Sequence, residues 1–130
     1  MITAVDTNVI LRALTRDDPA QAAIATEILR LEFTLSATVL LETEWVLHAS
    51  YGWSKASIAK AFRNLLDMSQ LVDAPAGMDW VLTRYENGAD FADMMHLCEA
   101  KGASRFVTFD KKIKKYAGDD PPLRVETLTA

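Results

Sequence analysis

The sequence predicts a three-layer α/β/α domain with a mostly parallel central sheet. Short apolar strand candidates alternate with helical patterns along the whole of the 130-residue chain, an order that is typical of parallel sheets covered by helices on both faces. Half of the residues are hydrophobic, a quarter are charged, and there are only five glycines and four prolines. The chain can therefore bury a core, and we expect one domain spanning residues 1–130.

Five short segments carry the β-branched and apolar residues that favour strands. They are residues 2–5, 33–35, 71–72, 105–108 and 123–128. Six helical patterns lie between them, and they begin near residues 9, 19, 37, 55, 78 and 90. We expect the second to sixth of these helices to end near residues 31, 50, 68, 87 and 101. The lysine-rich segment 111–115 is predicted to be a turn.

Residue types that cap helices mark most of the predicted helix starts. The caps are Asp6-Thr7-Asn8, Asp17-Asp18-Pro19, Ser36 or Thr38, Ser54 and Asp90. Gly52 and Gly88 follow two of the predicted helices, as glycine often does at a helix end. The second helix also carries an apolar stripe that is expected to face inward. Its members are Ala22, Ile24, Ala25, Ile28, Leu29 and Leu31.

Charge and composition exclude several classes of protein. Fourteen basic and eighteen acidic residues give a net charge of -4, so the chain is not expected to bind nucleic acid by charge alone. No apolar run reaches the roughly 18 residues of a membrane span, and residues 1–6 lack the pattern of a signal peptide. We therefore expect a cytoplasmic protein. The single cysteine, Cys98, excludes an internal disulfide and a thiolate zinc site.

Four acidic residues stand where an α/β fold would bring chemistry together. Asp6 follows the first strand and Asp110 follows the fourth, and parallel sheets bind ligands beyond the carboxyl ends of their strands. Glu42 falls among apolar residues spaced three or four apart, so it is expected on an inward helix face. Those neighbours are Val39, Val46 and Ala49. Asp93 lies in the first turn of the helix that begins at Asp90.

Converging carboxylates repel one another and need a cation or raised pKa values. At about 4 Å and an effective dielectric of about 20, each close pair costs roughly 4 kcal/mol. Oxygen ligands with few histidines suit Mg²⁺ or Mn²⁺. One or two such ions activate a water and stabilise charge on a phosphodiester. The lysines that follow Asp110 would add a local basic patch; they are Lys111, Lys112, Lys114 and Lys115.

The acids also have purely structural interpretations. Asp6 is well placed to cap the first helix. Asp90-x-x-Asp93 resembles a capping box, and Asp110 suits the start of a turn. Glu42 has the weakest structural explanation, because an acid on an apolar face costs stability unless it is paired or coordinated.

Other polar and aromatic residues carry less chemistry. Glu44 is expected to point away from Glu42 and to be solvated. His96 is placed to act as an outer-shell partner of Asp93, and Cys98 is expected to be a core thiol. The three tryptophans are expected in the core or in a dimer contact; they are Trp45, Trp53 and Trp80. No glycine-rich phosphate loop is present, which argues against an NTPase or a dinucleotide enzyme.

The four acids lie within four longer motifs. These are Val5-Asp6-Thr7-Asn8-Val9-Ile10, residues 36–47 around Glu42, Gly88-Ala89-Asp90-Phe91-Ala92-Asp93-Met94-Met95, and Val107-Thr108-Phe109-Asp110-Lys111-Lys112. In this order they resemble the four motifs of PIN-domain ribonucleases, specifically of VapC-type toxins. The resemblance covers residues 5–112.

The resemblance implies a metal-dependent endoribonuclease that uses Mg²⁺ or Mn²⁺ and is the toxin of a type II toxin–antitoxin pair. It also implies a homodimer, a parallel sheet and a cognate antitoxin protein that blocks the site. By motif position, the acidic quartet of metal-holding, catalytic residues is Asp6, Glu42, Asp93 and Asp110. Asn8 and Thr108 match polar residues that support this quartet, and Asp90 is an auxiliary candidate.

Two other functions stay open from the sequence. A PIN-like domain without catalysis would act by binding RNA or a protein. A receiver-like signalling domain would accept a phosphoryl group on an aspartate at a strand end, although Asp6 lacks the acidic neighbour usual there. In the nuclease interpretation, Arg12 or Arg16 and the lysines after Asp110 steer RNA, while no residue that reads bases is identifiable.

Overall fold

The computed structural model describes residues 1–100 and 102–130, and the chain forms two compact units, Met1–Pro75 and Ala76–Ala130. The first unit contains, in order, β1 (Thr3–Ala4), α1 (Thr7–Thr15), α2 (Pro19–Ile28), β2 (Phe33–Thr34), α3 (Ala37–Ala49), α4 (Lys55–Leu66) and β3 (Leu71–Asp73). The second contains α5 (Met78–Glu86), α6 (Phe91–Glu99), β4 (Arg105–Thr108), α7 (Lys111–Ala117) and β5 (Arg124–Thr127).

Every strand pairing in the described residues is parallel. In the first unit the strand order is β1-β2-β3, with Thr3 opposite Phe33 and Phe33 opposite Leu71. In the second unit β4 pairs with β5, with Phe106 opposite Val125. Parallel strands joined through helices confirm the predicted α/β class. The expectation of one domain over residues 1–130 stays a prediction.

Side chains cap the start of six helices, and the sequence predicted five of these caps; the sixth, Asp110, was expected to start a turn. Asp6, Asp18, Ser36, Ser54, Asp90 and Asp110 each accept a hydrogen bond from a backbone N–H of the following turn. Ser36, rather than Thr38, occupies the cap of α3. Each such cap stabilises its helix by about 1 kcal/mol, and three of them belong to acids that are also candidate site residues.

Each unit has its own buried apolar residues. Those with no exposed surface in the first unit include Ile10, Phe33, Leu40, Leu47, Ile58 and Phe62. In the second unit Tyr85 and Phe91 are 1% exposed and meet edge to face, with ring centroids 5.3 Å apart. Such an aromatic pair stabilises a fold by about 1 kcal/mol beyond the area that it buries.

The predicted lysine-rich turn is wrong, because Lys111–Ala117 forms α7. The Asp110 carboxylate binds the backbone N–H of Lys112 at 2.8 Å and starts this helix. Ile113 and Ala117, four residues apart, are its buried positions. Lysine is a good helix former, so a capped segment with two apolar anchors folds into a short helix that exposes all four lysines.

The inward stripe predicted for α2 is only partly correct. Ala22, Ala25 and Leu29 are buried, but Ile24 is 66% exposed and Leu31 is 56% exposed. The helix ends at Ile28, so Leu31 lies beyond it. Apolar residues occur on several sides of α2, which left the periodicity unable to distinguish its inner face. The predicted end of the sixth helix near Lys101 falls outside the described residues, and α6 ends at Glu99.

None of the helices described for residues 1–100 and 102–130 has the length and apolarity that crossing a membrane requires.

Candidate active site

Asp6 stands where the chain passes from β1 into α1. Its Oδ1 accepts a hydrogen bond from the backbone N–H of Thr7 at 2.8 Å, and its backbone is extended. Caps usually bind the second or third N–H of a helix, whereas this one binds the first. The structural interpretation of Asp6 as a cap is therefore confirmed, and the cap uses a single carboxylate oxygen.

Thr7 connects Asp6 to Glu42, a role that the sequence analysis missed. The side chain of Thr7 is buried, with 6% of its surface exposed. Its Oγ1 donates a hydrogen bond to Glu42 Oε1 at 2.5 Å, from α1 across to α3. Because its own backbone N–H binds Asp6, this one residue contacts both carboxylates. The available signal was a β-branched hydroxyl residue directly after Asp6, a type that can pack its methyl group inward while its hydroxyl donates.

Glu42 is exposed, so its predicted position on an inward face is wrong. The buried positions of α3 are Leu40, Thr43 and Leu47. The apolar residues of α3 itself lie on nearly every side of the helix, so their spacing does not indicate which face packs inward. Glu42 lies beside the buried face, and the hydroxyl of Thr7 holds its carboxylate there.

Asp6, Thr7 and Glu42 line one cleft of about 410 Å³ in the first unit. The other residues that line it are Asn8, Leu11, Arg12, Val46, Ser50 and Tyr51. Asn8, predicted to support the acids, is exposed at this cleft. Among the described residues its amide makes no side-chain hydrogen bond. The structure therefore brings together two of the four predicted acids and one supporting residue.

Asp110 and Thr108 lie together in the second unit. The backbone N–H of Asp110 donates to Thr108 Oγ1 at 3.0 Å, and Asp110 Oδ1 accepts from the backbone N–H of Lys112 at 2.8 Å. Thr108, the last residue of β4, thus fixes the backbone from which Asp110 projects. Its predicted role in supporting the acidic site stays a prediction.

Asp93 is half-buried among other ionisable groups of the second unit. Burial raises the pKa of its carboxyl above the ordinary 3.8, and the negative charges of Asp90 and Asp110 raise it further, against a smaller opposite effect of His96. Asp90 caps α6, its Oδ2 accepting from the backbone N–H of Asp93 at 3.0 Å. The capping interpretation of Asp90 is therefore confirmed. Asp93 and Asp110 are close enough to interact electrostatically, so the structure also brings together the second predicted pair.

Each unit thus carries one pair of the predicted acids, Asp6 with Glu42 and Asp93 with Asp110. The prediction that all four act at one place stays a prediction. One acid of each pair follows a strand, as expected from the sequence: Asp6 comes after β1 and Asp110 after β4.

Several secondary expectations can be compared with the structure. Glu44 is absent from the cleft, as expected, but it is half-buried and has an interaction partner, so its predicted solvation is wrong. Trp45 is 65% exposed, which excludes it from the core of this chain. Cys98 is half-buried rather than fully enclosed, with its Sγ 3.9 Å from the carbonyl oxygen of Gly77.

The donor chemistry fits a hard divalent cation. Both pairs supply carboxylate oxygens. Burial and the negative charges of Asp90 and Asp110 raise the pKa of Asp93, and a bound cation would favour its ionised form. Within residues 1–100 and 102–130, no group of three or more His, Cys, Asp or Glu residues is arranged to hold a metal ion by itself. Mg²⁺ is usually held by one or two carboxylates, with waters and substrate phosphates completing its shell, so pairs of acids suffice.

An α/β fold with acids at the carboxyl ends of parallel strands defines a class of proteins that hold phosphate-containing ligands or metal ions there. The PIN domain model matches residues 3–119, and this chain belongs to the PIN domain family. The PIN-like fold predicted from the sequence is thereby confirmed. Searches of curated proteins and of solved structures gave no match. PIN domains are in general metal-dependent nucleases, so family membership supports a nuclease-type function.

Proposed function

We propose that this protein is an endoribonuclease that requires Mg²⁺ or Mn²⁺ and serves as the toxin of a type II toxin–antitoxin pair. Its substrate is RNA, its inhibitor is a cognate antitoxin protein, and it works as a homodimer in the cytoplasm. The observation that carries the proposal is that Thr7 donates hydrogen bonds to both carboxylates, from its backbone N–H to Asp6 and from its hydroxyl to Glu42. A buried residue that fixes two acids in one cleft is typical of a site that must present both to one ligand.

Four acids would hold divalent metal ions in this proposal; they are Asp6, Glu42, Asp93 and Asp110. When bound, a divalent cation lowers the pKa of a water molecule and neutralises charge that develops on the phosphate. The protein supplies position: Thr7 fixes the Glu42 carboxylate, and Thr108 fixes the backbone at Asp110. Asn8 and Asp90 are auxiliary residues. The negative charge of Asp90 helps to raise the pKa of Asp93.

Basic residues near the acids would attract RNA to a chain whose net charge is -4. Lys111, Lys112, Lys114 and Lys115 are all exposed on α7, directly after Asp110. Their positive charges would contact the phosphate backbone without reading its sequence. Such contacts predict cleavage that weakens as the salt concentration rises.

Cleavage of RNA by the purified protein tests the nuclease assignment. The parent protein is expected to cut with Mg²⁺ or Mn²⁺ and to stop in EDTA, while Asp6→Asn should fold normally and not cut. RNA binding without any cutting would favour the non-catalytic binding module instead. A normally active Asp6→Asn protein would remove Asp6 from the site.

Growth of a bacterial host tests the toxin assignment separately. Induced expression of the parent chain is expected to arrest growth, and expression of Asp6→Asn at the same level is expected not to. Equal growth with both proteins, when the parent cuts RNA in vitro, would leave a ribonuclease that is not a toxin.

A further inference from the structure

The cleft of the first unit contains an arginine that three polar side chains hold in place. Arg12 lines this cleft together with Asp6 and Glu42. Its Nε donates to Gln21 Oε1 at 2.7 Å. Its Nη1 lies 3.4 Å from Asp17 Oδ1 and 3.4 Å from the hydroxyl oxygen of Tyr51. These partners come from α2, from the segment before it and from the segment after α3, so they fix the guanidinium from several directions.

Asp17 helps to position Arg12, but its closest contacts are with hydroxyl groups rather than with the guanidinium. Its short hydrogen bonds come from hydroxyl groups, at 2.6 Å from Tyr51 and 2.9 Å from Thr15. These two bonds, with a smaller effect of the Arg12 charge, lower the pKa of Asp17 below 3.8. The contact of Arg12 with this carboxylate is longer, at 3.4 Å. Asp17 is therefore held mainly by its hydroxyl partners, and it forms only a long ion pair with one nitrogen of Arg12.

The guanidinium of Arg12 also has donor capacity left over. Among the residues that the structure describes, no side chain accepts a hydrogen bond from its Nη2. The Arg12 side chain is 28% exposed, so its remaining N–H groups can reach a ligand. An arginine fork matches the oxygens of a phosphate group.

The position of Arg12 on α1 sets which phosphate it can contact. Asn8 and Arg12 are one helical turn apart and share the face that lines the cleft. With a rise of about 1.5 Å per residue, Arg12 lies about 9 Å along the helix from Asp6. Asp17 and Gln21 hold its side chain at the far end of α1.

We infer that Arg12 forms a phosphate-binding subsite for single-stranded RNA, taking a phosphodiester group next to the one that is cut, and that Tyr51 and Asp17 position it. This inference rests on the proposed ribonuclease function. It distinguishes Arg12 from Arg16, which is exposed, is absent from the cleft and has its Nη1 3.4 Å from Thr26 Oγ1.

The test compares Arg12→Gln with the matched variant Arg16→Gln, since each removes one positive charge from the same part of the chain. Cleavage of a fluorescent single-stranded RNA of mixed sequence is measured over a series of salt concentrations. Arg12→Gln is expected to raise KM about tenfold and to reduce the slope of log affinity against log salt by about 0.7, the value for one single-strand phosphate contact. Arg16→Gln is expected to change neither. Equal effects of the two variants, or an unchanged slope in Arg12→Gln, would overturn the inference.

Tyr51→Phe tests the positioning role and keeps the inference falsifiable if Arg12→Gln does not fold. It leaves the charge of Arg12 in place but removes the hydroxyl that binds Asp17. The expected result is a KM raised severalfold, with kcat and the salt slope of the parent. An unchanged KM would remove Tyr51 from the subsite.

Asp6→Asn, assayed in parallel, distinguishes a failure of the phosphate subsite at Arg12 from a failure of the proposed ribonuclease function. Loss of cutting in Asp6→Asn with a normal KM and slope in Arg12→Gln would contradict the subsite alone. Full cutting by Asp6→Asn would contradict the proposed function on which the subsite rests.

Discussion

Removal of the Thr7 hydroxyl is the sharpest perturbation of the first acidic pair. Thr7→Val keeps the shape of this buried side chain and deletes the 2.5 Å hydrogen bond to Glu42. A hydrogen bond to a charged group contributes about 1.5–3 kcal/mol when it is buried. Because Glu42 is exposed and water can replace the lost donor, we expect a loss of only about 1 kcal/mol in the free energy of unfolding.

The effect of Thr7→Val on catalysis should be larger than its effect on stability. Partners that orient metal-holding carboxylates are typically worth 10- to 100-fold in activity or metal affinity, so we expect kcat to fall by about that factor. Urea unfolding measures the stability, and initial rates of RNA cleavage under saturating Mg²⁺ measure kcat.

Thr43→Val is the matched control for this experiment. Thr43 is fully buried on α3, and its Oγ1 donates to the carbonyl oxygen of Val39 at 2.7 Å. It therefore loses a buried hydroxyl without touching either acid, and its cleavage rate should stay at that of the parent. Parent-like cleavage by Thr7→Val, or an equal loss in Thr43→Val, would refute the positioning of Glu42 by Thr7.

Three further predictions concern the second unit. Asp90→Ala should lower the free energy of unfolding by about 1 kcal/mol, whereas Asp90→Asn keeps the cap and should lower the pKa of Asp93 in an NMR titration, because it removes a nearby negative charge. In EDTA, Asp93→Asn should raise Tm at neutral pH but not below pH 3.8. Because the pKa of Asp93 is raised in the folded state, the parent protein loses stability as the pH rises from 3.8 through that folded-state pKa, and asparagine avoids this loss. A parent-like Tm at neutral pH would refute this reasoning. Gly118→Ala should lower the free energy of unfolding by about 1–3 kcal/mol in urea unfolding, because Gly118 has φ 76° and ψ −154°, a backbone conformation that essentially only glycine adopts.

The fold was readable from the sequence where local chemistry is decisive. Cap residues such as Asp18 and Ser54 begin α2 and α4 as predicted, and the strand-like segments before Asp6 and Asp110 became β1 and β4. The segment after Asp110 was misjudged, because its lysines suggested a solvated turn while the cap and two buried residues support a helix.

The inner faces of apolar helices were not readable in the same way. In α2 and α3, apolar residues lie on nearly every side, so spacing alone does not distinguish the face that packs inward. Ile24 was therefore predicted to be buried and is exposed. Glu42 was predicted to face inward and instead lies in an open cleft.

The acids themselves were easier to find than the residues that hold them. Asp6 and Asp110 stand out because they follow strands, a position fixed by the chain order. Thr7 and Tyr51 act through contacts with residues 35 and 34 positions away, Glu42 and Asp17 respectively, and no local pattern encodes such pairs.

RNA cleavage by four single variants, each of which removes one carboxylate charge, tests whether both acidic pairs serve catalysis. The variants are Asp6→Asn, Glu42→Gln, Asp93→Asn and Asp110→Asn, with Glu44→Gln as a control from outside the cleft on the same helix as Glu42. All four variants are expected to fold and to lose Mg²⁺- or Mn²⁺-dependent cleavage, and Glu44→Gln is expected to cut like the parent. Full activity in the variants of one unit, with loss confined to the other, would contradict a shared role of both acidic pairs.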